Sequence, residues 1–189
     1  MFSSLNAQSD VKNEKFEMSF IPYLNGGAWL FQGKAHSFKI ELASKNVKVL
    51  DPPSFVMADD KIIQVMILDL PEMPSKLSTF TISQQKSALS NYLKYEVDYF
   101  KKDLKIGMKN LVKEWVIVDS KLWLVWKFEP TNAYTLEPLK DKTVFQIFAS
   151  TICFNQILDI NASLMEGQVI SESQGLLNKM MKTLKLNTN

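Results

Sequence analysis

Two stretches in the second half of the chain are apolar on both of their alternating faces, and they constrain the fold more than any other feature. From Thr143 to Phe154, Phe145, Ile147, Ala149 and Cys153 fall on one side of an extended strand. Val144, Phe148, Ile152 and Phe154 fall on the other. From Lys121 to Glu129, Leu122, Leu124, Trp126 and Phe128 share a face; Trp123 and Val125 lie opposite, where the pattern turns polar at Lys127 and Glu129. A strand with two apolar faces must be covered on both sides. The expectation is an α+β fold, with a mainly antiparallel central sheet of about six or seven strands covered by helices on both faces as an α/β/α sandwich.

The other elements follow from periodicity and breakers. Apolar material from Phe16 to Leu42 is interrupted by Asn25-Gly26-Gly27 and by Gly33, the pattern of short strands with tight turns. Lys48 to Met57 and Lys61 to Leu70 read as strands joined across Ala58-Asp59-Asp60, and Pro71 to Ser75 as a loop. Leu89, Leu93, Val97, Phe100 and Leu104 recur at intervals of three and four, which predicts a helix from about Ser83 to Ile106. Lys101, Lys102 and Lys105 suit its C-terminal dipole, and Gly107 its stop. Asn110 to Val118 pairs with Lys121 to Glu129 around Asp119-Ser120, and Pro130 to Lys142 is the longest loop. A strand spans roughly Ile157 to Ala162. Ser163-Leu164-Met165-Glu166 then has capping-box spacing for a second helix running to about Leu184. Residues 15–189 are expected to form one domain behind a polar tail, 1–14.

This order of elements, with the closing stretch Ile157-Leu158-Asp159-Ile160 and the helix leading to Leu184-Lys185-Leu186, resembles the PsbP-like superfamily. The resemblance covers roughly Lys39 to Leu186, while Phe16 to Gly33 departs from the pattern. It implies an α/β/α sandwich and a binding or accessory role, since members of that superfamily mostly are not enzymes.

Composition narrows the chemistry. The chain has no arginine, so all 22 basic side chains are lysines, and it has one histidine and one cysteine. The bidentate fork that reads phosphate and guanine is therefore missing, and a net charge of +2 gives no electrostatic footprint for nucleic acid or an anionic membrane. A lone cysteine rules out an internal disulfide and cysteine-rich zinc sites. No transmembrane segment is expected, because the longest uncharged run, Thr143 to Leu158, is short and contains Gln146, Ser150, Asn155 and Gln156. Phe2 to Asp10 reads like the remnant of a secretory signal with cleavage after Ala7, although the charged and apolar regions of a full signal are absent. This favours a periplasmic or secreted protein over a cytoplasmic one.

No catalytic, cofactor-binding or metal-binding residue stands out by spacing. Gly27 to Ala35 superficially matches a phosphate loop, but Trp29 and Phe31 inside it would keep the backbone amides from closing on an anion. His36 lacks an identifiable carboxylate or nucleophile partner and reads as a solvated or singly bonded side chain. Cys153 reads as a small buried hydrophobe. Asp59-Asp60 fits a turn better than a cation site, and Glu96 and Asp98, among lysines, fit a solvated helix face. Asn161-Ala162-Ser163 matches a glycosylation sequon, though Ser163 suits a cap. The candidate interaction surface is aromatic: Tyr92, Tyr95, Tyr99 and Trp123, with core packing as the competing explanation. The function expected is that of a non-enzymatic binding or accessory protein with a protein partner. The alternative is a small-ligand binder or hydrolase using dispersed Asp, Glu and Lys.

Overall fold

The computed structural model describes residues 14–50, 52–70, 80–131, 134–135 and 142–188. The expectations for the N-terminal tail (its last residue apart), the Pro71 to Ser75 loop and most of the Pro130 to Lys142 loop lie outside these residues. The described strands are β1 (Glu17–Tyr23), β2 (Gly26–Gln32), β3 (His36–Ala43), β4 (Val47–Val49), β5 (Phe55–Ala58), β6 (Lys61–Asp69), β7 (Met108–Val118), β8 (Lys121–Pro130), β9 (Tyr134–Thr135), β10 (Lys142–Cys153), β11 (Gln156–Met165) and β12 (Lys185–Thr188). The helices are α1 (Ile82–Lys102) and α2 (Ile170–Met181).

The strands form two sheets. The smaller has the order β1-β2-β3-β12, and the larger β4-β5-β6-β11-β10-β8-β7, with β9 also pairing with β10. Every described pairing is antiparallel. The two-faced strands are covered on both sides, as the sequence requires. Leu124, Trp126, Phe128 and Phe148 meet Leu89, Leu93 and Phe100 of α1 on one face. Trp123, Val125, Ile147 and Ala149 on the other face meet Trp29, Phe38 and Ile40 of the smaller sheet, with Leu177 and Met180 of α2 beside them.

The α/β/α sandwich is therefore corrected: the fold is not one sheet between helices but two antiparallel sheets, with α1 on the far side of the larger one. The physical reason lies in the first strands. Phe38, Ile40 and Leu42 of β3 are buried between half-buried Lys39 and Glu41, and Trp29 and Phe31 of β2, paired with Ile40 and Phe38, are buried on the same face, giving a sheet with one strongly apolar face. That face serves as the cover a helix was expected to supply. Gly26 lets β2 lie close to β3, since the Leu42 carbonyl oxygen occupies the space a Cβ would need.

Further boundaries differ: α1 ends at Lys102 with Asp103 as its cap, short of Gly107, and the stretch from Lys48 to Met57 is split into β4 and β5, which pair with each other. Ser163 does not cap a helix; it lies inside β11, where its hydroxyl accepts a hydrogen bond from Gln146 Nε2 at 2.8 Å. The second helix begins at Ile170 and ends at Met181, and Lys185 to Thr188 continue as strand β12 along β3. At α1 the cap is Thr81, whose hydroxyl accepts from Gln84 N–H while Gln84 Oε1 accepts from Thr81 N–H, a capping box. The tight turns use paired left-handed residues as expected for two-residue hairpins: Asp59-Asp60, Asp119-Ser120 and Phe154-Asn155.

Candidate functional site

The most distinctive surface feature comes from where β5 stops pairing with β6. The two strands are in register from Phe55↔Gln64 to Ala58↔Lys61, and one further bond runs from Val65 N–H to the Ser54 carbonyl at 3.0 Å. The next residues back along the chain are Pro53 and Pro52, which have no N–H to donate. Their carbonyls are also occupied: Pro52 accepts from Phe55 N–H at 3.0 Å and Pro53 from Trp29 Nε1 at 3.1 Å. β5 therefore cannot follow β6 past Val65. On its other side β6 stays paired with β11 as far as Asp69↔Gln156. Hydrogen-bonding groups alternate sides along a strand, so the Ile67 and Asp69 backbones, in phase with Val65, face the vacated side. Among the described residues no backbone partner meets them there.

A groove of about 680 Å³ follows this edge. Val65 to Asp69 line it without a break, whereas a groove over the face of a strand would expose every second residue. Met18 and Phe31 of the smaller sheet, with Phe16 just before β1, form the opposite apolar wall. One end is polar. Asp69 Oδ1 accepts from Gln156 Nε2 at 3.0 Å; Asp69 is exposed and Gln156 buried. On the same side as the β10–β11 turn that leads into Gln156, Glu14 Oε2 lies 2.6 Å from His36 Nδ1, and its Oε1 accepts from the amides of Ala35 (2.5 Å) and His36 (3.2 Å). Burial alone would raise the Glu14 carboxyl, but these hydrogen bonds outweigh it and hold the pKa below its usual value. The His36 ring stacks on Phe154 at 4.1 Å. Phe154 has φ 47°, an uncommon conformation for a bulky side chain. The stack ties the β10–β11 turn to the smaller sheet.

A second polar cluster is enclosed beneath α1. Ser150 Oγ donates to Asp159 Oδ1 at 2.5 Å, and the Tyr92 hydroxyl faces the same carboxyl. Burial pushes Asp159 up to about 6 and Glu96 up to about 7, the latter further raised by the Asp159 charge. Beside them Asn161 Nδ2 donates to Gln64 Oε1 at 3.0 Å. Asp159 is wholly buried beneath α1, and Glu96 is half-buried at the edge of that packing.

The sequence candidates fall apart in space. Tyr92 and Trp123 are buried on opposite faces of the larger sheet, whereas Tyr95 is 59% and Tyr99 40% exposed on α1. Cys153 is buried, and burial pushes its thiol up to about 12, far from a nucleophilic thiolate. Asp59 holds a turn, accepting from the Lys45 and Asn46 amides. Glu96 is not the solvated side chain its lysine neighbours suggested. Among the described residues no three of His, Cys, Asp and Glu gather as a metal site, and no helix is long and apolar enough to cross a membrane. Sequence reasoning missed Glu14, Asp69 and Gln156. The available signal was Pro52-Pro53, which marks where an adjoining strand must lose its partner.

No family model and no curated protein matches the chain. Among solved structures, the solution structure of cyanobacterial PsbP (CyanoP) from Synechocystis sp. PCC 6803 is similar. Identity is 9% and the TM-score 0.47, over 98% of this chain and 100% of that one. The chain resembles a PsbP protein in fold.

Proposed function

We propose that this chain is a non-catalytic binding or accessory protein whose protein partner docks in the groove between β6 and the smaller sheet. The observation that carries this reading is the groove itself, which joins an apolar wall, a polar end and a strand edge with no backbone partner among the described residues. The absence of arginine and the inert Cys153 are consistent with binding rather than catalysis. Export to the periplasm or beyond belongs to the same proposal and rests on the Phe2 to Asp10 stretch. Intact-mass analysis of the native protein tests it, with a mature chain starting at Gln8 as the expected result.

The partner is tested by affinity purification of the tagged full chain from its native host beside a Met18→Trp variant, which fills the groove from its wall. The expected result is a partner recovered reproducibly with the wild-type chain and depleted at least tenfold with the variant, at matched folding by circular dichroism. Equal recovery with both chains overturns the assignment of the groove. The exposed Tyr95 and Tyr99 on α1 favour a second contact surface, to be tested by replacing both with serine in the same experiment. The hydrolase alternative would rest on Glu96 and Asp159; the complete burial of Asp159 beneath α1 supports a structural role instead.

A further inference from the structure

Resting on the groove as the partner site, we infer that the partner enters it as an extended segment that pairs with the open edge of β6, adding a strand to the larger sheet. Side-chain contacts alone would not need this geometry. The groove runs along an edge, and the backbone N–H and C=O groups of Ile67 and Asp69 point into it in phase with the last bond β5 makes, from Val65 to Ser54. Pro52 and Pro53 keep the chain's own preceding strand from ever taking that place. Edge strands elsewhere are often blunted by prolines or charges. Here β6 itself has no proline, and within Val65 to Asp69 its one charge is Asp69.

The partner's chemistry follows from what its side chains would meet. Residues paired with Ile67 project on the same side as Ile67, towards Phe16, Met18 and Phe31, so that position takes an apolar side chain. Two residues along, the partner meets Asp69. The Gln156 amide turns its NH₂ to Asp69 Oδ1, leaving acceptor oxygens at this end, so a lysine or arginine fits there. Glu14 is already bonded to His36 and two amides, and Lys15 lies exposed at the rim, so neither competes for that cation. The recognised element is an extended segment with an apolar residue and a basic residue two positions apart on one face.

The test is selection of a displayed library of random nine-residue peptides on the full chain, in parallel with an Asp69→Lys variant. The wild-type chain is expected to enrich alternating sequences with a basic residue two positions from an apolar one. The variant is expected to enrich an acidic residue at that position instead. The tightest peptide is then resynthesised with N-methyl groups on alternate amides, in both phases, and its affinity is measured by fluorescence anisotropy. Methylation in one phase should weaken binding at least tenfold and in the other little, because only alternate amides face β6. Peptides that bind equally well with either phase methylated overturn strand addition while leaving the groove as the partner site. No enrichment above a Met18→Trp chain overturns the site together with the strand addition.

Discussion

Replacing Trp126 by alanine should cost about 4 kcal/mol of stability, a loss typical of a fully enclosed aromatic side chain. Trp126 lies in the middle of β8 and has no exposed surface. Its ring stacks on Phe148 with centroids 3.9 Å apart and planes 6° from parallel, and Phe128 and Phe100 complete the group. Trp126 belongs to the cluster between α1 and the larger sheet, so the cavity would open there. Against a total stability of about 5–15 kcal/mol, this is a large fraction. Equilibrium unfolding in guanidinium chloride checks it, as a drop in midpoint at unchanged slope. Trp126→Phe should recover most of the loss, because the indole N–H has no partner among the described residues and nothing polar is forfeited with it. A phenylalanine variant as unstable as the alanine variant would contradict the stacking account.

The second large effect is a dependence on pH that runs against the usual acid lability of proteins. Asp159 is raised from 3.8 to about 6 and Glu96 from 4.5 to about 7, in each case mainly by burial. A carboxyl raised in the folded state favours its protonated form there, so folding is most stable where both acids are protonated. That contribution is lost as pH rises through about 6 and then about 7. For Asp159 alone the whole shift of about two units corresponds to roughly 3 kcal/mol, of which about half is lost between pH 5 and pH 8, and hence to a Tm lower by roughly 3–6 °C at pH 8 than at pH 5. The groups that face it are Tyr92 and Glu96 from α1, Ser150 from β10 and Asn161 from β11, none of them cationic. Glu14, Glu41, Asp59 and Asp98 are shifted the other way, and their stabilisation is lost only at more acidic pH. Thermal melts from about pH 5 to about pH 8 should therefore fall for the native chain and less steeply for Asp159→Asn, which keeps an acceptor for Ser150 and leaves only the burial of Glu96 to titrate there. Parallel slopes for the two chains would sink this account.

Several elements were legible in the sequence because their causes are local. The β7–β8 hairpin shows as alternation on either side of Asp119-Ser120, and the faces of β8 and β10 sort into the two clusters that the fold contains. α1 shows as a stripe whose members Leu89, Leu93 and Phe100 are indeed buried. What could not be read depends on neighbours distant in the chain. Ser163 has the spacing of a cap, yet in β11 its hydroxyl meets Gln146 across the ladder. Glu96 stands among lysines, yet it turns toward Asp159, more than sixty positions on. The smaller sheet was missed because a single amphipathic strand does not announce what its apolar face will cover. The groove was missed for a related reason. Pro52-Pro53 says that a strand ends there, but only the strand order reveals that the edge left open belongs to β6.

The pairing of β12 with β3 has a consequence for how the chain comes into being. Lys185 lies opposite Lys39 and Thr188 opposite His36, so one border of the smaller sheet is supplied by residues made long after the rest of it. A ribosome delivers the N-terminal segment first, and β3 must then wait, with that border bare, through the synthesis of both helices and the larger sheet. Sequence separation of this size carries a loop-closure penalty that local hairpins escape, so the pairing of β12 belongs among the last events of folding. Until it forms, the nascent chain is held short of its final state by the lateness of a single strand, a delay in which a chaperone can still engage it.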